Sequence, residues 1–217
     1  MQHGVALADH PRRSSILLAI TEHDNGWAEP DAAPLIDPAT GVPLDFISAP
    51  IAVRQGVWPR GVARLAHDPW AAALVAQHAI VIFDRYRGDP AWTGFFAEME
   101  TMRRALIDVK PVLPDRPSMS DLVADYRFLG LGDLISLTFC NGWTDVQRFD
   151  TSSVRLSGSQ VLVWPDLFGG NTISIAIEAR EIRRARPFRS DAELRDAFGA
   201  ASICSVNGVT AGAPEPF

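Results

Sequence analysis

The chain has 217 residues, a formal net charge of -6 and 21% charged residues. This length suits one domain with a sizeable core, or one domain with a small appendage. The acidic balance provides no general attraction to nucleic acid or to an anionic membrane surface. We therefore expect neither a nucleic-acid partner nor membrane association.

Cysteine content and hydropathy indicate the compartment. Cys140 and Cys204 are too few for a disulfide framework, and no Cys-x-x-Cys pair indicates a zinc site. No apolar stretch reaches the length of a membrane-spanning helix, and the first residues lack the charged start and apolar core of a secretion signal. These features predict a cytoplasmic protein.

The strongest early helix signal covers residues 15–26, which Ser14 and Ser15 open as N-cap residues. The apolar spacing in this segment puts Asp24 on the face that should be buried, with His23 about 100° away around the helix. A buried carboxylate is costly unless it is paired or binds a metal ion. His23 and Asp24 are therefore the first candidate metal ligands.

Other helices are expected on both sides of this segment. Asp68-Pro69 and Asp89-Pro90 are typical helix starts, because Asp caps the helix and Pro suits its first position. Residues 28–50 are rich in Pro, Asp and Gly and predict a long ordered loop of the kind that often carries function. The predicted helices cover residues 3–9, 51–66, 69–86, 91–108 and 121–143.

Two of these helices carry a further polar residue on an apolar stripe. His78 follows Leu74 and precedes Val81 on one stripe, and Asp133 interrupts another. His3 is an additional candidate near the start of the chain. Each residue alone has a plainer interpretation, a hydrogen-bonded core His or a capping Asp. Together they are more informative, because imidazole nitrogens and carboxylate oxygens suit divalent metals.

After residue 150 the sequence favours β-branched residues. Strands are predicted over residues 160–164 and 172–179, joined as a hairpin through Gly169-Gly170-Asn171. Ser190 and Glu193 form a capping box that opens a last short helix.

The tail from Thr210 is expected to fray. These elements together predict a mainly α fold, a helical bundle with a small C-terminal β-hairpin and a terminal helix. We expect a helical domain over residues 1–150 and a β-rich appendage over 151–217 packed on it.

The order His3, His23-Asp24, Asp133 resembles the signature of the HD-domain metallohydrolase superfamily, and His78 lies where two-metal members place an extra His. This resemblance implies an HD-domain-like helical bundle. It also implies that these five residues bind one or two divalent ions (Mn, Fe, Zn, Ni or Mg).

A closer resemblance is to an uncharacterised bacterial family, domain of unknown function 3891, and it covers nearly the whole chain. No activity follows from it. The matching stretches are Gln2-His3, residues 18–27 (LAITEHDNGW), 31–46 (DAAPLIDPATGVPLDF), 73–78 (ALVAQH), 133–140 (DLISLTFC), the C-terminal strands and 187–197.

The wider superfamily implies a metal-dependent phosphohydrolase that acts on a small phosphoester. Hydroxide generated at the metal would attack phosphorus, with Asp24 as the catalytic carboxylate that bridges two ions if two are bound. Trp27, Asp31 and Arg127 are the candidate substrate contacts.

Two other functions stay open. The first is an HD-type diiron oxygenase, which would need more His and Asp ligands than a one-metal hydrolase. The second is a non-catalytic helical binding module with a degenerate metal site, because the segment between His3 and His23 is short. A homodimer formed through the β appendage is a further hypothesis.

Overall fold

The computed structural model describes residues 7–108, 117–184 and 186–217. These residues form two compact units. We call residues 7–30, 50–108 and 117–130 the helical unit, and residues 31–49, 131–184 and 186–217 the sheet unit. Whether 1–150 and 151–217 fold as separate domains stays a prediction.

From residue 51 onward the helices before the sheet begin and end close to the predicted bounds, whereas the helix predicted over residues 15–26 ends earlier. Residues 3–6 of the helix predicted over 3–9 lie outside the described residues. Short 3-10 turns lie at Leu7–Asp9, Asn25–Trp27, Asp84–Tyr86 and Pro90–Trp92. The α-helices before the sheet are α1 (Arg13–Glu22), α2 (Ala28–Ala32), α3 (Ile51–Arg64), α4 (Pro69–Ile82), α5 (Thr93–Asp108) and α6 (Met119–Cys140).

Helix α4 is buried along most of its length and forms the centre of the helical unit. As predicted, Asp68 caps it, accepting a hydrogen bond from the Ala71 amide at 3.0 Å. The Ser15 hydroxyl donates to the other Asp68 carboxylate oxygen at 2.8 Å, which attaches the start of α1 to the same cap. The prediction for Val81 was wrong, because this residue is 38% exposed at the last turn.

Helix α1 ends at Glu22 and not at residue 26, so His23 and Asp24 lie just beyond it. The cause is a backbone contact distant in sequence. Gly26 packs so closely on α3 that a Cβ there would lie 2.0 Å from the Val57 carbonyl oxygen. The chain leaves the helical path to make this approach.

The C-terminal half contains a five-stranded mixed sheet, so the prediction of a mainly α fold with a small hairpin was wrong. The fold is mixed α and β. Its strands are β1 (Gln147–Phe149), β2 (Ser152–Ser157), β3 (Gln160–Trp164), β4 (Thr172–Glu181) and β5 (Ser202–Gly212). The order across the sheet is β1-β2-β3-β5-β4.

Strands β3 and β4 were predicted in the right places, but they do not pair as a hairpin. Strand β5 lies between them, parallel to β3 and antiparallel to β4. Thr210 pairs with Val161 on one side and Ile173 on the other. It is only 3% exposed, so the predicted frayed tail was also wrong.

The core of the sheet unit lies on one face of these strands. Helix α7 (Asp191–Ala200) precedes β5, and Ser190 caps it as predicted, since its hydroxyl accepts from the Glu193 amide at 3.2 Å. The reciprocal bond of the predicted capping box differs, because the Glu193 carboxylate accepts from the Arg189 amide. The core consists of Val154, Val161 and Val163, with Leu131, Leu134, Ile135 and Phe139 of α6 among the side chains packed on it.

The predicted long loop is shorter than expected and is attached to the sheet unit. Helix α2 occupies its start, and Ile36 and Pro43 form an isolated β-bridge. The Phe188 amide donates to the Gly41 carbonyl at 2.9 Å, which fixes the tip of the loop.

Within the part of the chain that the structure describes, every helix is too short or too polar to cross a lipid bilayer.

Candidate metal centre

Two of the predicted ligands, His23 and His78, come together inside the helical unit. His78 lies on α4 and is 2% exposed. His23 follows the end of α1, and its side chain is 12% exposed. The ring centroids are 5.3 Å apart, with the rings nearly perpendicular. These imidazoles are close enough for both to contact one small ion.

Hydrogen bonds orient both rings. His23 Nδ1 lies 2.8 Å from the Ile20 carbonyl oxygen. A carbonyl can only accept, so Nδ1 carries the proton and Nε2 of a neutral ring carries the lone pair. His78 Nδ1 contacts the Tyr126 hydroxyl at 3.1 Å. Metal-binding histidines are usually anchored through their other nitrogen in this way.

The prediction that Asp24 lies on the buried face of a helix was wrong, because its side chain is 61% exposed. Its Oδ2 lies 3.2 Å from His23 Nε2. Desolvation raises the pKa of Asp24, but the hydrogen bond from His23 and the charges of His23 and His78 outweigh it and lower the pKa below its usual value. With Nδ1 protonated, this contact is favourable only for an imidazolium or with a cation bound.

Aromatic side chains surround the buried imidazole of His78. Trp58 lies 5.5 Å away between ring centroids and Tyr126 lies 5.9 Å away. Trp58 also contacts Phe83 at 6.1 Å. Such a shell excludes water and lowers the local dielectric constant, which strengthens the attraction between a cation and its ligands.

The predicted substrate contacts are dispersed along the chain. Trp27 is half-buried in the 3-10 turn Asn25–Trp27. Asp31 is exposed near the end of α2, in the sheet unit. Arg127 is exposed on α6. Their contacts with a substrate stay predictions.

The two remaining candidate ligands are His3 and Asp133. His3 lies outside the described residues. Asp133 is half-buried and belongs to the sheet unit. It follows Tyr126 by seven residues on the continuous helix α6, so both residues lie on the same face of that helix.

Sequence reasoning missed a second buried polar group, centred on Asp125, which is 1% exposed. Its carboxylate accepts from Arg12 Nε at 2.6 Å and Nη2 at 3.1 Å, and from Trp70 Nε1 at 2.9 Å. His10 Nε2 lies 3.1 Å from the same carboxylate. Because His10 Nδ1 accepts from the Arg12 amide at 3.2 Å, Nε2 carries the proton and donates.

The sequence did contain a signal for Asp125. It lies three residues after Leu122 and four before Leu129, both fully buried, so helical periodicity puts it on the buried stripe. Its donors Arg12, Trp70 and His10 are distant from it in sequence, so periodicity alone does not identify them. With four donors on one carboxylate, this group is a satisfied structural network.

The fold and the histidine pair define a class, a mixed α and β protein whose helical unit holds a candidate metal centre. The chain belongs to the family DUF3891, described as a protein of unknown function, because the family model matches residues 3–184. The match ends before α7 and β5. Comparison with curated proteins and with solved structures found no match.

Proposed function

We propose that the chain is a metal-dependent phosphohydrolase that acts on a small phosphoester, and that His23 and His78 of the helical unit are ligands of one divalent ion. Asp133 stays a ligand predicted from the sequence. The observation that supports this most strongly is the pair of imidazoles with ring centroids 5.3 Å apart. Each has Nδ1 in contact with a protein oxygen. The reaction class rests on the resemblance of the ligand order to the HD-domain signature, and this is an analogy.

A divalent ion at this place would polarise a phosphoryl oxygen and lower the pKa of a bound water. The protein's own contribution is orientation. The Ile20 carbonyl and the Tyr126 hydroxyl hold the imidazole rings, and the aromatic side chains exclude bulk water. Asp24, exposed beside His23, has a carboxylate that can accept a proton.

The proposal is tested by phosphoesterase assays of purified protein with Mn²⁺, using p-nitrophenyl phosphate and bis-p-nitrophenyl phosphate. We expect hydrolysis by the wild type and a loss of at least ~100-fold in His78→Gln, because this change removes a buried ligand. His67→Gln is the control, since His67 is exposed and should retain activity. A wild type that takes up metal but hydrolyses neither ester contradicts the proposal.

The other described histidines favour hydrolysis over diiron chemistry. His10 donates to Asp125, and His67 is exposed beside the α4 cap. Neither histidine is placed to add a ligand to the His23–His78 pair, as a site for two iron ions would require.

We also keep as proposals a cytoplasmic location and substrate contacts by Trp27, Asp31 and Arg127.

A further inference from the structure

The indole of Trp58 is a buried hydrogen-bond donor without a hydrogen-bond partner among the described residues. Trp58 lies on α3 and is 3% exposed. Trp70, buried on α4, differs, because its Nε1 donates to Asp125 at 2.9 Å. Buried indole N–H groups usually have an acceptor, and leaving one without an acceptor opposes folding. An acceptor supplied by a bound molecule would satisfy this N–H group.

The position of Trp58 relative to the histidine pair is fixed by the backbone. Its ring lies 5.5 Å from the His78 ring, at an interplanar angle of 64°. The preceding residue, Val57, is the one on whose carbonyl Gly26 packs closely. Arg60, one turn further along α3, donates to the Gly26 carbonyl at 3.0 and 3.2 Å. The segment that follows His23 and the helix that carries Trp58 are therefore held together.

We propose that Trp58 Nε1 donates a hydrogen bond to an oxygen of an oxyanion bound at the His23–His78 centre, such as a phosphoryl group. An indole N–H can only donate, so it favours an acceptor oxygen and offers nothing to a donor group. Because the indole N–H group is neutral, it can orient the oxyanion without repelling a cation held by the histidines. This role rests on the proposed function and assigns a substrate-binding residue to it.

The test compares Trp58→Phe with the wild type, both loaded with Zn²⁺ and titrated with inorganic phosphate by calorimetry. Phe keeps a buried aromatic ring but removes the donor together with part of the ring volume, and the control below undergoes the same loss of volume. We expect unchanged zinc stoichiometry and phosphate affinity weakened about 5- to 10-fold, as for loss of one hydrogen bond. Trp92→Phe is the matched control, because Trp92 is 1% exposed and packs on the same Phe83 ring. Its phosphate affinity should stay within about twofold of the wild type.

A second measurement covers the case in which Trp58→Phe does not fold. In the ¹⁵N-labelled wild type loaded with zinc, phosphate should shift the Trp58 indole N–H signal and leave that of Trp70 in place. Equal phosphate affinity of Trp58→Phe and wild type, or an unshifted Trp58 signal in the phosphate-bound protein, overturns this inference alone. A wild type that takes up no zinc overturns the metal centre and this inference with it.

Discussion

At Asp125 a charged side chain is kept in the core by four donors from three residues, Arg12, Trp70 and His10. The Arg12 guanidinium also lies over the Trp70 ring, 4.9 Å from its centroid. The network therefore joins the segment before α1 to α4 and α6. Because removing one partner leaves the other charge uncompensated, such a group matters more for stability than any surface ion pair.

Asp125→Ala should lower the free energy of unfolding by about 3–5 kcal/mol, since it leaves Arg12 partly buried without its carboxylate. Urea unfolding followed by circular dichroism measures this. The control is Asp84→Ala, which removes an exposed ion pair with Arg87 and should cost less than about 1 kcal/mol. Equal effects of the two substitutions would show that the Asp125 network is not a stabilising unit.

Among the candidate site residues, burial of His78 was predictable because α4 is a regular helix with a clear apolar stripe. The exposure of Asp24 was not, because it depends on where α1 ends. That end is set by the approach of Gly26 to Val57, 31 residues further along the chain. Local periodicity contains no information about such a contact.

The junction of the 3-10 turn with α3 is the element that positions His23. Gly26→Ala should destabilise the protein by about 2–3 kcal/mol, because its Cβ would lie 2.0 Å from a backbone oxygen that cannot move aside cheaply. Gly56→Ala on the same helix has open space around it and should be neutral or stabilising by up to about 1 kcal/mol. Thermal unfolding of both variants measures the contrast, and a similar melting temperature for the two would contradict this packing.

At the start of α7, Glu193 connects the helix cap to two arginines. Its carboxylate accepts from Arg184 at 2.6 Å, from Arg186 at 2.9 Å and from the Arg189 amide at 2.7 Å. The bond from Arg184 is the main cause that lowers the pKa of Glu193 from 4.5 to about 2. The lowered pKa means that the folded state stabilises the ionised carboxylate of Glu193 more than the unfolded state does.

This lowered pKa predicts a pH dependence. The stabilisation by Glu193 is fully present above the unfolded value of 4.5 and is lost as the pH falls toward about 2. The melting temperature of Glu193→Gln should therefore lie below that of the wild type at pH 6, and the gap should close on acidification. A gap that is constant or widens between pH 6 and pH 3 would contradict the assignment.

Across the whole molecule, the helices and their caps were predictable because Asp68, Asp89 and Ser190 act within one turn. The sheet was not, because strand order depends on contacts between distant segments. Gly169 and Gly170 do form a turn with positive φ, but a turn does not determine which strand becomes the neighbour. Strand β5 was missed for this reason.

The central place of β5 gives a prediction for truncation. Removing residues 202–217 should unfold the sheet, because β3 and β4 both lose the strand that lies between them. Removing only 214–217, beyond the last strand, should leave the sheet intact. Limited proteolysis and far-UV circular dichroism distinguish the two truncated proteins, and a protease-resistant sheet after the longer truncation would contradict the observed topology.

The metal centre is tested most directly by elemental analysis of the protein after loading with Zn²⁺ or Mn²⁺ and desalting. We expect about one ion per chain in the wild type and in His67→Gln, and strongly reduced metal in His23→Gln and His78→Gln. A wild type that retains no metal, or a His78→Gln variant that retains as much as the wild type, would contradict this expectation.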